Sequence, residues 1–337
     1  MRAASSRTLT AKQFSHARRA ALQTQNGFTL IELMVSLAIG LLVLASVSMV
    51  YVSASRTTRT SEMETQLNED GVIALSIIQQ QIQMAGYSGY TKVGSADKPN
   101  FTGAGVRGCS AGAFAGTYVD FDSLGPTACA TAVADGDGIV VRYEADKVNT
   151  VVTASDEPTN CLIQKAFLKK SEADAAKDMY VAENRFYVKL SGTSSGKPEL
   201  RCAATSGTTA VPAYQNQPLL ENVERMELRY GVSATNADDD MQVVAYRTAA
   251  EIDSLYSSTE SIDARWKRVV SVKICLLMRS ADPMKDIAAT ASYIDCDGTK
   301  KTLTTPDGYL RRSFITTAAL RSRLPATETN KGEIISN

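Results

Sequence analysis

One carboxylate stands out by its surroundings. Glu32 is the only ionisable side chain between Phe28 and Val52, a run that reads FTLIELMVSLAIGLLVLASVSMVYV. A charge at that depth in lipid costs roughly 2.5–3.5 kcal/mol, so such a residue is functional by default and needs a partner. Other chemistry is thinly provided. The single histidine among 337 residues is His16, near the start of the chain. An imidazole base, a histidine-bound metal or a Ser/His/Asp triad would each hang on that one side chain. The sequence holds no G-x-S-x-G, no phosphate loop and no H-E-x-x-H. Neither an enzyme nor a cofactor is expected.

Six cysteines follow the apolar run: Cys109, Cys129, Cys161, Cys202, Cys275 and Cys296, none in a C-x-x-C pair. That spacing points away from zinc ribbons and thioredoxin-like sites. An even number on the oxidising side of a membrane reads as disulfides. Sequential pairing is the simplest of many connectivities, and buried free thiols are the alternative. Two acidic loops, Asp135-Gly136-Asp137-Gly138 and Asn236-Ala237-Asp238-Asp239-Asp240, offer oxygen ligands to calcium, with Asn236, Asp238 and Asp240 the better set. Neither has the spacing of an EF-hand. Asp and Gly make turns without any metal, so no metal is expected. Arg265-Trp266-Lys267-Arg268 mixes cations with the only tryptophan, a combination that suits nucleic acid. The cluster runs straight into a strand pattern, so a core tryptophan on a solvated edge is the expected reading. Arg311, Arg312, Arg321 and Arg323 read as a solvated rim.

These residues need elements to position them. Residues 1–27 carry five basic side chains and no acidic one. The 25 residues of Phe28–Val52 make about 37 Å of helix at ~1.5 Å each, enough for a bilayer core of about 30 Å. The basic flank places the N-terminus in the cytoplasm and the bulk of the chain outside. A secretory signal would have a shorter apolar core followed by a cleavage site; a plain membrane anchor would not explain Glu32. From Ser53 the helix turns polar, with Met63, Leu67, Ala74, Ile78, Ile82 and Ala85 forming one apolar stripe. Gly71 interrupts it at a cost of about 1 kcal/mol, and Gly86 is placed to cap. Beyond it the period becomes 2. Ile139, Val141 and Tyr143 form one face; Met226, Leu228 and Tyr230 a second; Val270, Val272, Ile274, Leu276 and Met278 a third. A last strand is expected around Leu310–Thr316. Helix first and mostly antiparallel sheet afterwards is the α+β class.

Gly27-Phe28-Thr29-Leu30-Ile31-Glu32-Leu33-Met34 resembles the type IV prepilin motif. The resemblance implies a basic leader, residues 1–27, cut after Gly27 by a prepilin peptidase that also methylates the new N-terminus at Phe28. It implies a filament-core helix over 28–52, an amphipathic extension over 53–86 and an extracytoplasmic β-rich domain over 87–337. Glu32 would pair with the amine of a neighbouring Phe28, offsetting the desolvation of both charges and setting axial register. Many major pilins carry a proline about twenty residues into this helix; here the chain reads Ser48-Met49-Val50, which suits a minor pilin better. Leu219–Met226, Val269–Met278 and Tyr309–Phe314 resemble segments of PilW-type minor pilins.

The resemblance implies a structural role: a minor pilin held in the inner membrane, N-terminus cytoplasmic and head periplasmic, that then helps initiate the pilus from a tip complex. The partners implied are the prepilin peptidase, the other minor pilins, the major pilin and a tip adhesin. A minor pseudopilin of a type II secretion system and a tip-located surface- or DNA-binding module are the alternatives. Charge argues against nucleic acid. The chain has 36 Lys+Arg and 36 Asp+Glu; without a leader holding five of the basic residues and His16, 31 remain against 36, a formal charge of −5.

Overall fold

A computed structural model describes residues 27–110, 112–114, 129–131, 136–190, 196–208, 212–235, 237, 240–255, 259–284, 292–305 and 307–323. The first helix, α1, runs from Leu30 to Met84. The chain divides into two compact units, Met1–Thr58 and Arg59–Asn337. In the first, every described residue of α1 is exposed, and the helix is long and apolar enough to cross a membrane. Its hydroxyls are satisfied within the helix. Ser36, Ser46 and Ser48 donate to the carbonyls of Leu33, Leu42 and Leu44 at 3.0, 2.9 and 2.7 Å, which removes the penalty of carrying serines in an apolar segment.

The second unit is the last part of α1 followed by sheets and short helices. The strands are β1 (Tyr90–Val93), β2 (Ala96–Pro99), β3 (Val106–Cys109), β4 (Gly112–Phe114), β5 (Cys129–Thr131), β6 (Gly138–Glu144), β7 (Phe167–Lys170) and β8 (Asp178–Leu190). They continue with β9 (Pro198–Gly207), β10 (Pro212–Glu221), β11 (Val223–Val232), β12 (Ala245–Arg247), β13 (Val269–Arg279), β14 (Ser292–Ile294), β15 (Lys300–Thr302) and β16 (Arg311–Ala319). The two larger sheets have the orders β10-β9-β8-β6-β3, with β7 also on β8, and β12-β11-β13-β16; among the described residues β1–β2, β4–β5 and β14–β15 form two-stranded sheets. Every pairing within them is antiparallel. The fold is α+β. Helices α2 (Ala249–Ser254) and α3 (Ile262–Trp266) fill the connection from β12 to β13. Thr248 and Glu251 form a capping box on α2, and Ser261 caps α3.

One core joins both sheets to α1. Leu67, Gly71, Ala74, Ile78 and Ile82 are the buried positions of the helix, and they pack with Ile139, Tyr143, Phe186, Met226, Ile274 and Leu276. Gly71 does not interrupt the stripe, as the sequence suggests; it belongs to it. The Phe314 ring of β16 lies against its backbone, so closely that a Cβ would sit 2.5–2.6 Å from three ring carbons. The absent side chain is the socket for the ring. The helix ends where Gly86 turns left-handed, with φ +76°, and its amide donates to the Arg142 carbonyl at 2.8 Å.

The alternation in β6 also reads differently in three dimensions. Both of its faces are buried, because Val140 packs with Cys109, Phe114 and Cys129 on the side away from the main core. The β4–β5 hairpin covers what the sequence pattern leaves open.

Candidate functional site

The processing segment starts outside regular structure. Gly27, Phe28 and Thr29 precede the helix and are exposed, and no atom lies within 4 Å of where a Gly27 side chain would begin. Thr29 and Glu32 form a reciprocal cap. The Glu32 amide donates to Thr29 Oγ1 at 3.3 Å, while the Thr29 amide and hydroxyl both donate to Glu32 Oε2 at 3.2 Å. This is the T-x-x-E capping box, and a carboxylate in the first turn also suits the helix dipole. Both contacts to the Glu32 carboxylate use Oε2. Within this chain Glu32 caps its own helix, and Oε1 remains open to an ammonium group.

In the head the six cysteines pair as Cys109–Cys129, Cys161–Cys202 and Cys275–Cys296. Each bridge ties a connection to a strand: the β4–β5 hairpin to β3, the segment before β7 to β9, and the turn between β14 and β15 to β13.

The basic cluster is consumed by the fold. Trp266 is 2% exposed, meets Tyr230 edge to face at 5.0 Å between centroids, and donates from Nε1 to Asp253 Oδ1 at 2.8 Å. Arg268 pairs with Glu260 and with the Ala234 carbonyl, Arg265 donates to the Asp253 carbonyl, and Lys267 lies 3.7 Å from Asp263. Burial raises the Asp253 carboxyl against the lowering effect of the Trp266 bond. Nothing in this arrangement offers a row of free cations to a phosphate backbone.

The rim reading fails for Arg311. Its side chain is buried beside Glu224 and Asp307, donating to Glu224 at 2.7 and 2.8 Å and to Asp307 Oδ1 at 2.9 Å. Arg279 stacks over Tyr309 at 4.2 Å and approaches Glu224 at 3.7 Å. The Arg311 bond holds the Asp307 carboxyl down to about 2, and Asp307 and Glu224 raise the guanidinium. Sequence shows four arginines near the C-terminus but not the carboxylate 87 positions upstream. Arg312 is exposed, as the rim reading has it, and donates to Asn68 of α1. Arg321 is exposed.

The acidic loops also serve the backbone. Asp137 Oδ2 accepts from the Leu228 amide at 2.8 Å, and Asp240 Oδ2 accepts from the Thr235 amide and hydroxyl at 2.8 and 2.9 Å. Asp135, Asn236 and Asp238 lie outside the described residues, as do residues 1–26 with His16. Glu227, Asp295 and Cys296 bring ligand-type atoms within 4.8 Å of one another. The sulfur is tied up in a disulfide, and Arg225 pairs with both carboxylates, so the cluster is an ion-pair network rather than a metal cage.

The family model of type IV pilus-assembly protein W matches residues 185–322, and that of the prokaryotic N-terminal methylation motif matches residues 22–48. Among curated proteins, none matches this chain. The solved type IV-like pilin TTHA1219 from Thermus thermophilus is similar at 11% identity, with 76% of this chain and 97% of that chain covered and a TM-score of 0.38. The methylation motif falls at the start of α1 and the PilW pattern runs from β8 to β16, so the chain is similar to type IV pilins of the PilW type.

Proposed function

We propose that this pilin is a minor subunit that helps initiate pilus assembly within a complex at the filament tip. The observation that carries the reading is the first turn of α1. It holds an accessible Gly27–Phe28 peptide and a carboxylate with one oxygen spent on its own helix and one open. Cleavage after Gly27 leaves a Phe28 amine, and Glu32 of an adjacent subunit supplies its counter-ion. In a dry helix bundle both charges need that partner, so the pair sets the axial register. The head from Arg59 onward, with two sheets and three disulfides, suits a position occupied a few times rather than thousands. Before assembly the apolar half of α1 would hold the protein in the inner membrane, the leader in the cytoplasm and the head in the periplasm. The other minor pilins, the major pilin and a tip adhesin are the partners in this reading.

Deletion of the gene tests it. Loss of surface pili and twitching is expected. Lost exoprotein secretion with intact pili would assign the chain to a secretion system instead, and normal pili that no longer attach would make it a binding module. Glu32→Ala should still be cleaved and methylated yet enter filaments poorly; normal incorporation would refute the role given to Glu32.

A further inference from the structure

We propose that the free edge of β16 takes an extended strand from a neighbouring pilus subunit, which joins the sheet by main-chain pairing. The proposal rests on the pilus reading above and adds the surface and the kind of segment it accepts. β16 ends the order β12-β11-β13-β16, and among the described residues no strand pairs with its other side. The Leu320 amide donates to the Val270 carbonyl at 3.0 Å and the Ser280 amide to the Leu310 carbonyl at 2.8 Å. These two bonds fix the phase of the ladder. In an antiparallel pair, residues bonded to the partner strand alternate with residues whose main-chain groups point the other way. Even-numbered residues from Leu310 to Leu320 therefore bond towards β13. Arg311, Ser313, Ile315, Thr317 and Ala319 turn their N–H and C=O groups to the open side.

That edge differs from the others in the two larger sheets. Natural proteins blunt exposed edges with prolines, bulges, charges or very short strands, because a long open edge pairs with other chains. β3 and β12 have four and three residues. β10 is broken by Pro218 and by a register shift between Pro218 and Leu220. β16 has nine residues, in unbroken register with β13 from Arg311 to Ala319. Its stretch Ser313–Ala319 holds neither a charge nor a proline, and Ile315, Thr316 and Thr317 are β-branched. That is the composition that pairs most readily with a foreign strand. Such an edge is sound only where a partner covers it.

The surroundings of the edge define the occupant. A row of N–H and C=O groups repeating every second residue is matched by another extended backbone, as in β-strand addition, and by no lipid headgroup or nucleic acid. The flanks ask for uncharged, apolar side chains on that strand. On the outer face Ile315 is 49% exposed. On the inner face α1 runs beside β16: Arg312 donates to Asn68, Phe314 lies on Gly71, and Thr316 Oγ1 donates to Gln79 Oε1 at 3.4 Å. Val72 follows Asn68 by one turn and shares its side of the helix, yet it is 63% exposed; an added strand would cover it. Direction excludes a second β16. Two such edges pair about a two-fold axis, which reverses the strand and the helix bound along it. Subunits drawn from one membrane carry their helices in the same direction, so the strand comes from a different subunit.

Proline separates main-chain pairing from side-chain contact. Thr317→Pro removes an N–H that faces the open side and spares the bonds to β13, whereas Thr317→Val keeps that N–H and the shape of the side chain. In a deletion strain Thr317→Val should restore surface pili fully. Thr317→Pro should leave them at least tenfold lower, with equal melting temperatures for the two full-length proteins in detergent. If Thr317→Pro melts lower, a photo-cross-linker at Thr317 in isolated pili decides, with exposed Gln217 on β10 as control. Links from Thr317, absent from Gln217, to another pilus subunit identified by mass spectrometry are then expected. Full piliation with Thr317→Pro would overturn the proposal. So would a lack of links from Thr317, equal links from Gln217, or links only to a second copy or to residues 324–337 of the same chain. A deletion strain with normal pili sinks the pilus reading itself. A strain that loses pili on deletion and recovers them fully with T317P sinks the strand addition alone.

Discussion

Gly71→Ala should destabilise this pilin, against the ordinary rule for a helix interior. Alanine is worth about 1 kcal/mol more than glycine at an exposed helical position. Here the new methyl would fall 2.5–2.6 Å from Cζ, Cε1 and Cε2 of Phe314, well inside van der Waals contact, so the ring must move. Overpacking of this kind costs about 1–3 kcal/mol, leaving a net loss of about 0–2 kcal/mol. A double-mutant cycle isolates the contact. In a Phe314→Ala background the clash is gone and Gly71→Ala should stabilise by about 1 kcal/mol, giving a coupling of about 1–3 kcal/mol. Guanidinium unfolding of the detergent-solubilised chain, followed through the emission of Trp266, reads this directly, since Trp266 is the sole tryptophan and is buried against Tyr230. A coupling below about 0.5 kcal/mol, within the additivity of independent sites, would refute the socket. So would stabilisation of the otherwise wild-type protein by Gly71→Ala.

Further outcomes can be checked on the same preparation. Replacing Cys161 and Cys202, 41 positions apart, by serine should lower unfolding free energy by up to about 4 kcal/mol on the chain-entropy scale, measured against the wild type under oxidising conditions. The Arg311 guanidinium holds the Asp307 carboxyl at about 2 when folded, against an ordinary value of 3.8. Its contribution is therefore complete above pH 4 and lost as pH falls from 4 towards 2. Since its side chain is 39% exposed, solvent screening limits the effect to about 1 kcal/mol, and acid melts of Asp307→Asn should lack that increment. Trp266→Phe removes the donor to half-buried Asp253 and should cost about 1–3 kcal/mol in thermal unfolding followed by circular dichroism.

Local patterns carried far in this protein. The apolar span, the amphipathic stripe and the strand faces around Met226–Tyr230 and Val270–Met278 are all set by neighbours within a few residues, where period and composition speak directly. Glu32 was legible because a carboxylate in an apolar run has no bland explanation. Its partnership with Thr29 lay in the same four letters, as a capping-box signature ahead of an apolar run.

The remainder depended on contacts between distant residues. Gly71 looks like a weak point until β16 brings Phe314 to it from 243 positions away in the chain. Arg311 looks solvated until Glu224 on β11, two strands across the sheet from β16, is placed beside it. Sequence by itself determined a long apolar N-terminal helix followed by a β-rich chain with a methylation-type motif at the helix start, because those properties follow from hydropathy, period and short motifs. Only the tertiary structure decided which glycine is a socket and which arginine is buried, because each is defined by atoms that the fold alone brings within a few ångströms.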